Sequence, residues 1–275
     1  MLIIGDEKRH HGFPWMTILL VVANITAFQA QRYFGDPITY GYGLVPKEII
    51  DGKDMVGRAL IPIRERVEDE KGEVSYRERV LVINHQPGPT PIYLTFLTSM
   101  FLHGNWAHLI GNMLFLLVFG RNVERAMGHW LFLIFYLLVG VAAGMTHVFI
   151  NPDGLTPYLG ASGAISGVMG AYFFLFPFNW VKVWLVWVVA DFPTVLVVGA
   201  WVLVQFLATL DAFQEGELNV GIAYWAHVGG FVAGVVFVLT MLITVKVLTF
   251  LFRRPPPERY VWEAAKEGPR SRRRR

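Results

Sequence analysis

Four side chains of the types used in nucleophilic catalysis lie in three separate apolar stretches of the sequence: Ser162, His227, His108 and Asn112. A serine hydroxyl becomes a nucleophile when a neighbouring base takes its proton, and histidine is the commonest base of this kind. His108 and Asn112 are four residues apart, so they share one face of a helix. Their N–H groups, with the backbone N–H of Ser162, are suited to binding an oxyanion. Together these residues predict acyl transfer.

The elements that must position these residues are long apolar segments. The chain has 275 residues, of which 54% are hydrophobic and 16% charged, so it is too apolar for an ordinary soluble domain. Segments of about 20 apolar residues cross a hydrocarbon layer as helices. We therefore expect an all-α polytopic membrane protein, a bundle of six transmembrane helices, with spans at Trp15 to Phe34, Leu94 to Gly120, Trp130 to Ile150, Gly160 to Phe178, Thr194 to Leu210 and Ala223 to Phe252.

Small residues in the fourth and sixth spans favour close contact between the two helices. Gly163 and Gly167 are four residues apart, as are Gly230 and Gly234. Glycine has no Cβ, so two helix backbones that meet along such faces come very close together. We expect Ser162 and His227 each about one turn inside the outer end of its span, within hydrogen-bonding distance of each other.

Charged residues in the loops predict the orientation. Lys and Arg lie in the loops after the second and fourth spans and behind the sixth, so the positive-inside rule puts both termini in the cytoplasm. We divide the chain into a cytoplasmic segment (1–14), a membrane domain (15–252) and a basic cytoplasmic tail (253–275). The outer loop 35–93 belongs to the membrane domain, and its segments 59–67 and 74–83 predict a β-hairpin. Substrate capture and a solvated excursion both remain open as its role.

Two further segments carry specific expectations. Residues 181–189 are apolar but too short to span, so we expect them to lie at the inner interface or to lengthen their neighbours. Asp191 and Pro193 then predict the cap and the first turn of the fifth span. The tail from Arg253 to Arg275 has nine Lys/Arg against three Asp/Glu, which suits anionic lipid headgroups. A pure topology signal is the alternative reading of this tail.

Several kinds of chemistry do not fit the sequence. The chain has no cysteine, which excludes disulfides and thiolate catalysis, and it lacks the His-Glu-x-x-His signature of metalloproteases. We predict no metal, no cofactor and no nucleic-acid partner. A transporter or channel using histidines is one alternative, but there is no inverted repeat and no paired intramembrane carboxylate. For His147 and His129 we expect positions at the membrane interface.

The three motifs together resemble the rhomboid family of intramembrane serine proteases. They are Gly160-Ala-Ser162-Gly163, the segment from Ala226 to Gly234, and the segment from His103 to Asn112, in the order and on the helices used by that family. The resemblance covers about residues 93 to 245. It implies a six-helix rhomboid bundle in a prokaryotic inner membrane, which cuts transmembrane-helix substrates near the outer face without metal or ATP.

The resemblance also implies roles for individual residues. Ser162 and His227 would form a dyad without the usual aspartate, and His108 and Asn112 would line the oxyanion hole. The supporting positions are His103, Gly160, Gly163 and Glu124. An inert family member that binds membrane proteins without cutting them is a second alternative, and the intact serine and histidine argue against it.

Two departures from the family pattern concern the surroundings of the dyad. Leu94 and Thr95 stand where many members have a Trp-Arg pair in the first loop. Ser166 stands where some members have an aromatic ring that stacks on the histidine. The sequence therefore leaves open how His227 is held.

Overall fold

The computed structural model describes residues 2–6, 12–68, 74–185, 188–215 and 224–251. The chain divides into two compact units, Met1–Val238 and Leu239–Arg275. The first unit contains the candidate catalytic residues. The described part of the second is the end of the last helix, and the predicted basic tail, 253–275, lies outside the described residues.

The described residues are mostly helical, with five strands. The helices are α1 (Trp15–Phe34), α2 (Asp36–Tyr42), α3 (Pro46–Asp51), α4 (Thr95–Thr98), α5 (Trp106–Phe115), α6 (Arg121–Met127), α7 (His129–Ile150), α8 (Ser162–Leu175), α9 (Thr194–Glu215) and α10 (Tyr224–Leu251). The strands are β1 (Leu2–Asp6), β2 (Gly57–Glu68), β3 (Val74–His85), β4 (Trp180–Leu185) and β5 (Val188–Pro193).

Two helices in the described part of the chain are long and apolar enough to cross a membrane: α7, and α10 over Tyr224–Thr249. A third candidate span is the bent pair Ile92–Phe101 and Trp106–Met127, whose two parts meet at 82°. Helix α1 has the bounds predicted for the first span. The described structure thus supports a membrane protein with two or three candidate spans, and the count of six stays a prediction.

The second predicted span is not one continuous helix. The chain breaks after Phe101, and α5 begins at Trp106. Asn105 has extended backbone and caps the new helix, its side-chain oxygen accepting a hydrogen bond from the backbone N–H of His108 at 2.8 Å. Beyond α5 a π-helical segment, Leu116–Gly120, leads into α6. The sequence did not predict this break, because one polar capping residue within an apolar run changes the mean hydropathy of the segment very little.

Helix α8 is shorter than predicted and is deeply enclosed. Ser162 is its first residue, whereas the sequence analysis placed this serine a turn inside the helix. Gly160 has a φ of +123°, a left-handed conformation that an L-residue rarely adopts, so the helix cannot extend back through it. All residues from Gly163 to Tyr172 are buried. The nucleophile candidate therefore sits at the N-terminus of a central helix.

Residues 181–185 and 188–189 of the segment expected at the inner interface, or as an extension of its neighbours, belong to a three-stranded sheet. Strands β4 and β5 pair antiparallel, and β1 joins the other edge of β4. Asp191, predicted as a helix cap, lies in β5, where its carboxylate accepts a hydrogen bond from Lys182 Nζ at 3.1 Å. Pro193 ends this strand, and α9 starts at Thr194. These two predictions were wrong because the run is rich in valine, whose branched Cβ favours extended backbone.

The segment predicted to lie outside the membrane, residues 35–93, contains α2, α3 and the paired strands β2 and β3. The strands pair antiparallel from Gly57 opposite His85 to Glu68 opposite Val74, and the strand-like segments 59–67 and 74–83 lie within them. Residues 69–73 between them lie outside the described residues. Ile61 and Ile83 are buried on one face of the pair, while Leu60 and Val82 are exposed on the other.

A buried ionisable pair joins α3 to the end of β3. Glu48 and His85 are 2% and 1% exposed, with Glu48 Oε1 3.9 Å from His85 Nδ1. Glu48 Oε1 also accepts a hydrogen bond from the backbone N–H of Met55 at 3.1 Å. Burial raises the pKa of the Glu48 carboxyl to about 7 and lowers the pKa of His85. This part of the protein is therefore sensitive to pH in the neutral range.

Candidate active site

Ser162 and His227 are brought together by helices α8 and α10. Ser162 Oγ lies 2.8 Å from His227 Nε2. The predicted small-residue faces make this approach possible: a Cβ added at Gly234 would lie 2.7 Å from the carbonyl carbon of Gly167, and one at Gly230 would lie 3.1 Å from that of Gly163. Ordinary carbon contacts are about 3.5 Å or longer, so only glycine fits at these positions. Backbone packing thus sets the distance between the two side chains.

Helix α9 holds His227 from the side away from the serine. Gln205 Oε1 lies 2.8 Å from His227 Nδ1, and the Trp201 ring lies 6.1 Å from the imidazole, centre to centre. Ser166 has a different function, since its hydroxyl donates to the backbone oxygen of Ser162 at 2.7 Å. The histidine is thus held by a neighbouring helix instead of an aromatic ring at position 166.

Gln205 and Trp201 were not among the residues predicted from the sequence, although one signal for them was available. They are four residues apart in the predicted fifth span, so they share a helix face. An amide in a membrane-spanning segment is costly and usually has a specific partner. The polar side chain of Gln205 in an otherwise apolar run was therefore the available signal. Its depth relative to His227 could be seen only in the structure.

The predicted oxyanion residues lie next to Gly160 at the start of α8. A Cβ at Gly160 would lie 2.9 Å from His108 Nε2 and 3.7 Å from Asn112 Nδ2. Asn112 is 8% exposed, and its Nδ2 has no hydrogen-bond partner among the described residues. Ser162 is the first residue of α8, so its backbone N–H has no acceptor within the helix. His108, Asn112 and the backbone N–H of Ser162 thus offer hydrogen-bond donors around one small space beside the serine.

A cavity of about 630 Å³ opens onto this space. All five long helices around the site contribute to its lining, including Phe115 of α5, His147 of α7, Met169 of α8, Trp201 of α9 and His227 of α10. This volume is within the range of ligand sites, about 300–1,000 Å³. The cavity therefore has room for a ligand beside Ser162, which is one of its lining residues.

The loop that leads into α8 is braced by the segment 35–93. Tyr158 and Leu44 exchange two backbone hydrogen bonds, of 2.8 and 3.1 Å. Both residues belong to a small buried cluster with Ala143 of α7 and Ala226, which precedes His227. The Tyr158 hydroxyl faces Ser162 and Gly163, and burial raises the pKa of this phenol to about 12, so it remains a neutral donor. The ring of His147 packs on that of Tyr158, at 5.1 Å.

Two predicted supporting residues lie outside the immediate site. His103 is fully buried, its ring lies 5.2 Å from that of His108, and its backbone N–H donates to Gln31 Oε1 at 2.9 Å. His103 therefore connects α1 to the start of α5 and packs against a candidate oxyanion residue.

Glu124 belongs to α6 and is fully buried beside the N-terminus of α1. Its carboxylate accepts hydrogen bonds from the backbone N–H of Met16 at 2.9 Å and of Thr17 at 2.8 Å, and from the Thr17 hydroxyl at 2.6 Å. A negative charge at this end of a helix is favourable because the helix dipole is positive there. The His129 ring also pairs with this carboxylate. The sequence predicted only an interfacial position for His129 and not this contact. Glu124 thus joins α1, α6 and α7 at a distance from the serine.

The arrangement contains the parts required for acyl transfer: a nucleophile, a base and oxyanion donors around one cavity. In the part of the chain that the structure describes, no three His, Asp or Glu side chains converge as a metal site.

Comparison with known proteins agrees with this geometry. The family model described as "Rhomboid domain" matches residues 91–244, which is more than half of the chain. The protein belongs to the rhomboid family. Its family segment contains all of the candidate site residues, from His103 to His227.

Individual relatives are distant. The chain is 31% identical over 150 residues to Rhomboid-like protein 11, chloroplastic, of Arabidopsis thaliana, covering 54% of this chain and 52% of the relative. It is 31% identical over 154 residues to Rhomboid protein 1, mitochondrial, of Saccharomyces cerevisiae, covering 52% and 40%. RHOMBOID-like protein 4 of Arabidopsis thaliana is 26% identical over 246 residues, covering 87% and 55%. The chain thus spans about half the length of these curated relatives.

Proposed function

We propose that the protein is a serine endopeptidase that cuts substrate proteins within or beside their transmembrane helices. The observation that carries the proposal is the 2.8 Å contact between Ser162 Oγ and His227 Nε2 at a cavity of about 630 Å³. A hydroxyl donating to a neutral imidazole at this distance is poised to lose its proton. Membership of the rhomboid family supports the same conclusion.

The proposed reaction has two halves. His227 Nε2 takes the proton of Ser162 as Oγ bonds to the carbonyl carbon of the scissile peptide, and the oxyanion is stabilised by His108, Asn112 and the backbone N–H of Ser162. The C–N bond then breaks, and His227 gives its proton to the leaving amine. In the second half His227 deprotonates a water, which attacks the ester, and the proton returns to Ser162.

The membrane arrangement is part of the proposal. We propose six spans, with α1, the bent pair and α7 to α10 as the crossing elements, and with both termini in the cytoplasm. Ser162 and His227 would then lie near the outer face, where water reaches the cavity. The relatives named above come from a plant and a yeast, so a prokaryotic inner membrane remains a prediction from the sequence.

The proposed partners are transmembrane substrates and the surrounding lipid, with no nucleic acid and no cofactor. The basic tail 253–275 is proposed to contact anionic headgroups. Truncation after Arg254 is expected to weaken binding to anionic liposomes. Unchanged binding would reduce the tail to a topology signal.

The decisive experiment is cleavage of a model transmembrane substrate in detergent by the wild-type protein, Ser162→Ala and His227→Ala. Both variants are expected to lose cleavage, and a fluorophosphonate is expected to label the wild type but not Ser162→Ala. A chelator is expected to have no effect. Wild-type cleavage by either variant would contradict the assignment, and a folded protein without cleavage or labelling would indicate an inert, client-binding family member.

A further inference from the structure

We infer that Gln205 is a third member of the catalytic group: its side-chain carbonyl fixes the tautomer and the orientation of His227. The inference rests on the proposed protease function. It is carried by two hydrogen bonds to the same imidazole, His227 Nε2 to Ser162 Oγ and His227 Nδ1 to Gln205 Oε1, each 2.8 Å long. Gln205 acts on the reaction through His227, so it is a positioning residue.

The tautomer follows from hydrogen-bonding rules. To act as a base toward Ser162, His227 Nε2 must carry a lone pair, so the proton of the neutral ring must be on Nδ1. That N–H requires an acceptor, and Gln205 Oε1 is at the right distance to accept it. If the amide were turned round, its NH₂ would donate to Nδ1, and the proton would move to Nε2. His227 would then be unable to accept the serine proton.

The orientation of the ring is fixed by two residues on one helix. Trp201 and Gln205 are four residues apart on α9, so both face α10. The indole lies 6.1 Å from the imidazole with the two planes tilted by 41°, while the amide binds the ring edge opposite the serine. Rotation of the imidazole about its Cβ–Cγ bond would break the contact with Gln205 as well as the contact with Ser162.

The side chain at position 205 thus takes the place that a carboxylate has in a serine-protease triad. A carboxylate also orients the histidine, and in addition its charge stabilises the imidazolium. An amide carbonyl is neutral, so Gln205 supplies the orientation and the tautomer without a full negative charge in the membrane. This difference predicts that replacement by glutamate preserves catalysis.

The test compares three variants in cleavage of a model transmembrane substrate. Gln205→Met has nearly the same shape but no acceptor, so we expect kcat to fall about 10- to 100-fold with KM unchanged, because the Nδ1–H loses its buried partner. Gln205→Glu keeps an accepting oxygen in either protonation state and is expected to stay within about threefold of the wild type. Leu203→Met is the control on the same helix, since Leu203 is 56% exposed.

The rate of fluorophosphonate labelling measures the nucleophilicity of Ser162 independently of substrate binding. We expect labelling of Gln205→Met to slow in parallel with kcat, with thermal unfolding used to normalise for folded protein. A Gln205→Met enzyme with wild-type kcat and labelling per folded molecule would refute the inference. So would equal losses in Gln205→Met and Gln205→Glu. Failure of the proposed protease function would be seen separately, as cleavage of the substrate by Ser162→Ala.

Discussion

Adding one methyl group to the contact between α8 and α10 should abolish the proposed cleavage without touching a candidate catalytic side chain. In Gly234→Ala the new Cβ would lie 2.7 Å from the carbonyl carbon and 2.8 Å from the Cα of Gly167. Both are backbone atoms, so they cannot swing aside. The Cβ would also overlap the carbonyl oxygen of Gly167, so α10 must move away from α8 by at least about 0.8 Å to restore an ordinary carbon contact of about 3.5 Å.

This displacement is large compared with the tolerance of the site. Added to the 2.8 Å between Ser162 Oγ and His227 Nε2, it gives about 3.6 Å, beyond the range of about 3.2 Å for a good hydrogen bond. A misplacement of about 1 Å reduces catalysis about 100-fold, and we expect a loss of that order in kcat/KM. Overpacking should also lower the free energy of unfolding by about 1–3 kcal/mol.

The assay is cleavage of a transmembrane substrate, normalised to folded protein by thermal unfolding in the same detergent. Gly199→Ala is the matched control: Gly199 also lies in a long apolar helix, but a Cβ there would meet nothing within 4 Å. The control is expected to keep wild-type activity. If folded Gly234→Ala cleaved within about threefold of the wild type, glycine packing would not be what sets the distance between the two residues.

Three further predictions concern other parts of the molecule. Because folding raises the pKa of Glu48 from 4.5 to about 7, stability falls as pH rises between these values. The free energy of unfolding of Glu48→Gln should therefore exceed that of the wild type by up to about 3 kcal/mol at pH 8 and match it near pH 4.5, measured by unfolding at both pH values. An equal difference at both pH values would contradict this origin. Gly160→Ala should lose labelling by fluorophosphonate as well as cleavage, since its Cβ would lie 2.9 Å from His108 Nε2 at a φ of +123°, and unchanged labelling would show that the oxyanion space is elsewhere. Glu124→Gln should lower the free energy of unfolding by about 2 kcal/mol, because its NH₂ would face an N–H donor of Met16 or Thr17, while kcat per folded molecule stays unchanged.

The residues of the site could be predicted from the sequence because their chemistry is unusual in a membrane. A serine, a histidine and an amide at matching depth in apolar segments are costly, so their types and spacing identify them. The glycines at 163, 167, 230 and 234 likewise predict the close helix contact that the structure contains. In both cases the information is local to one helix, where the period of 3.6 residues fixes which side chains share a face.

The features that could not be predicted depend on contacts between distant segments. Strand β1 pairs with β4, which lies about 180 residues further along the chain. No local sequence pattern at Leu2–Asp6 predicts this pairing. The break before α5 depends on Asn105 turning back to cap its own helix. The bond from Gln205 to His227 depends on the relative depth of α9 and α10, which hydropathy leaves uncertain by several residues.

In the proposed mechanism, an amide at position 205 suits surroundings of low polarity. A carboxylate beside His227 would be stabilised only while the imidazole is charged, and it would carry the cost of a buried negative charge during the rest of the cycle. An amide carbonyl has no such cost, yet it accepts the Nδ1–H in the resting state, when the tautomer must be correct. The imidazolium exists only briefly, and the oxyanion beside Asn112 and His108 then supplies the compensating negative charge. A neutral residue at position 205 is therefore sufficient in a membrane, because the positive imidazolium and the negative oxyanion form and disappear together.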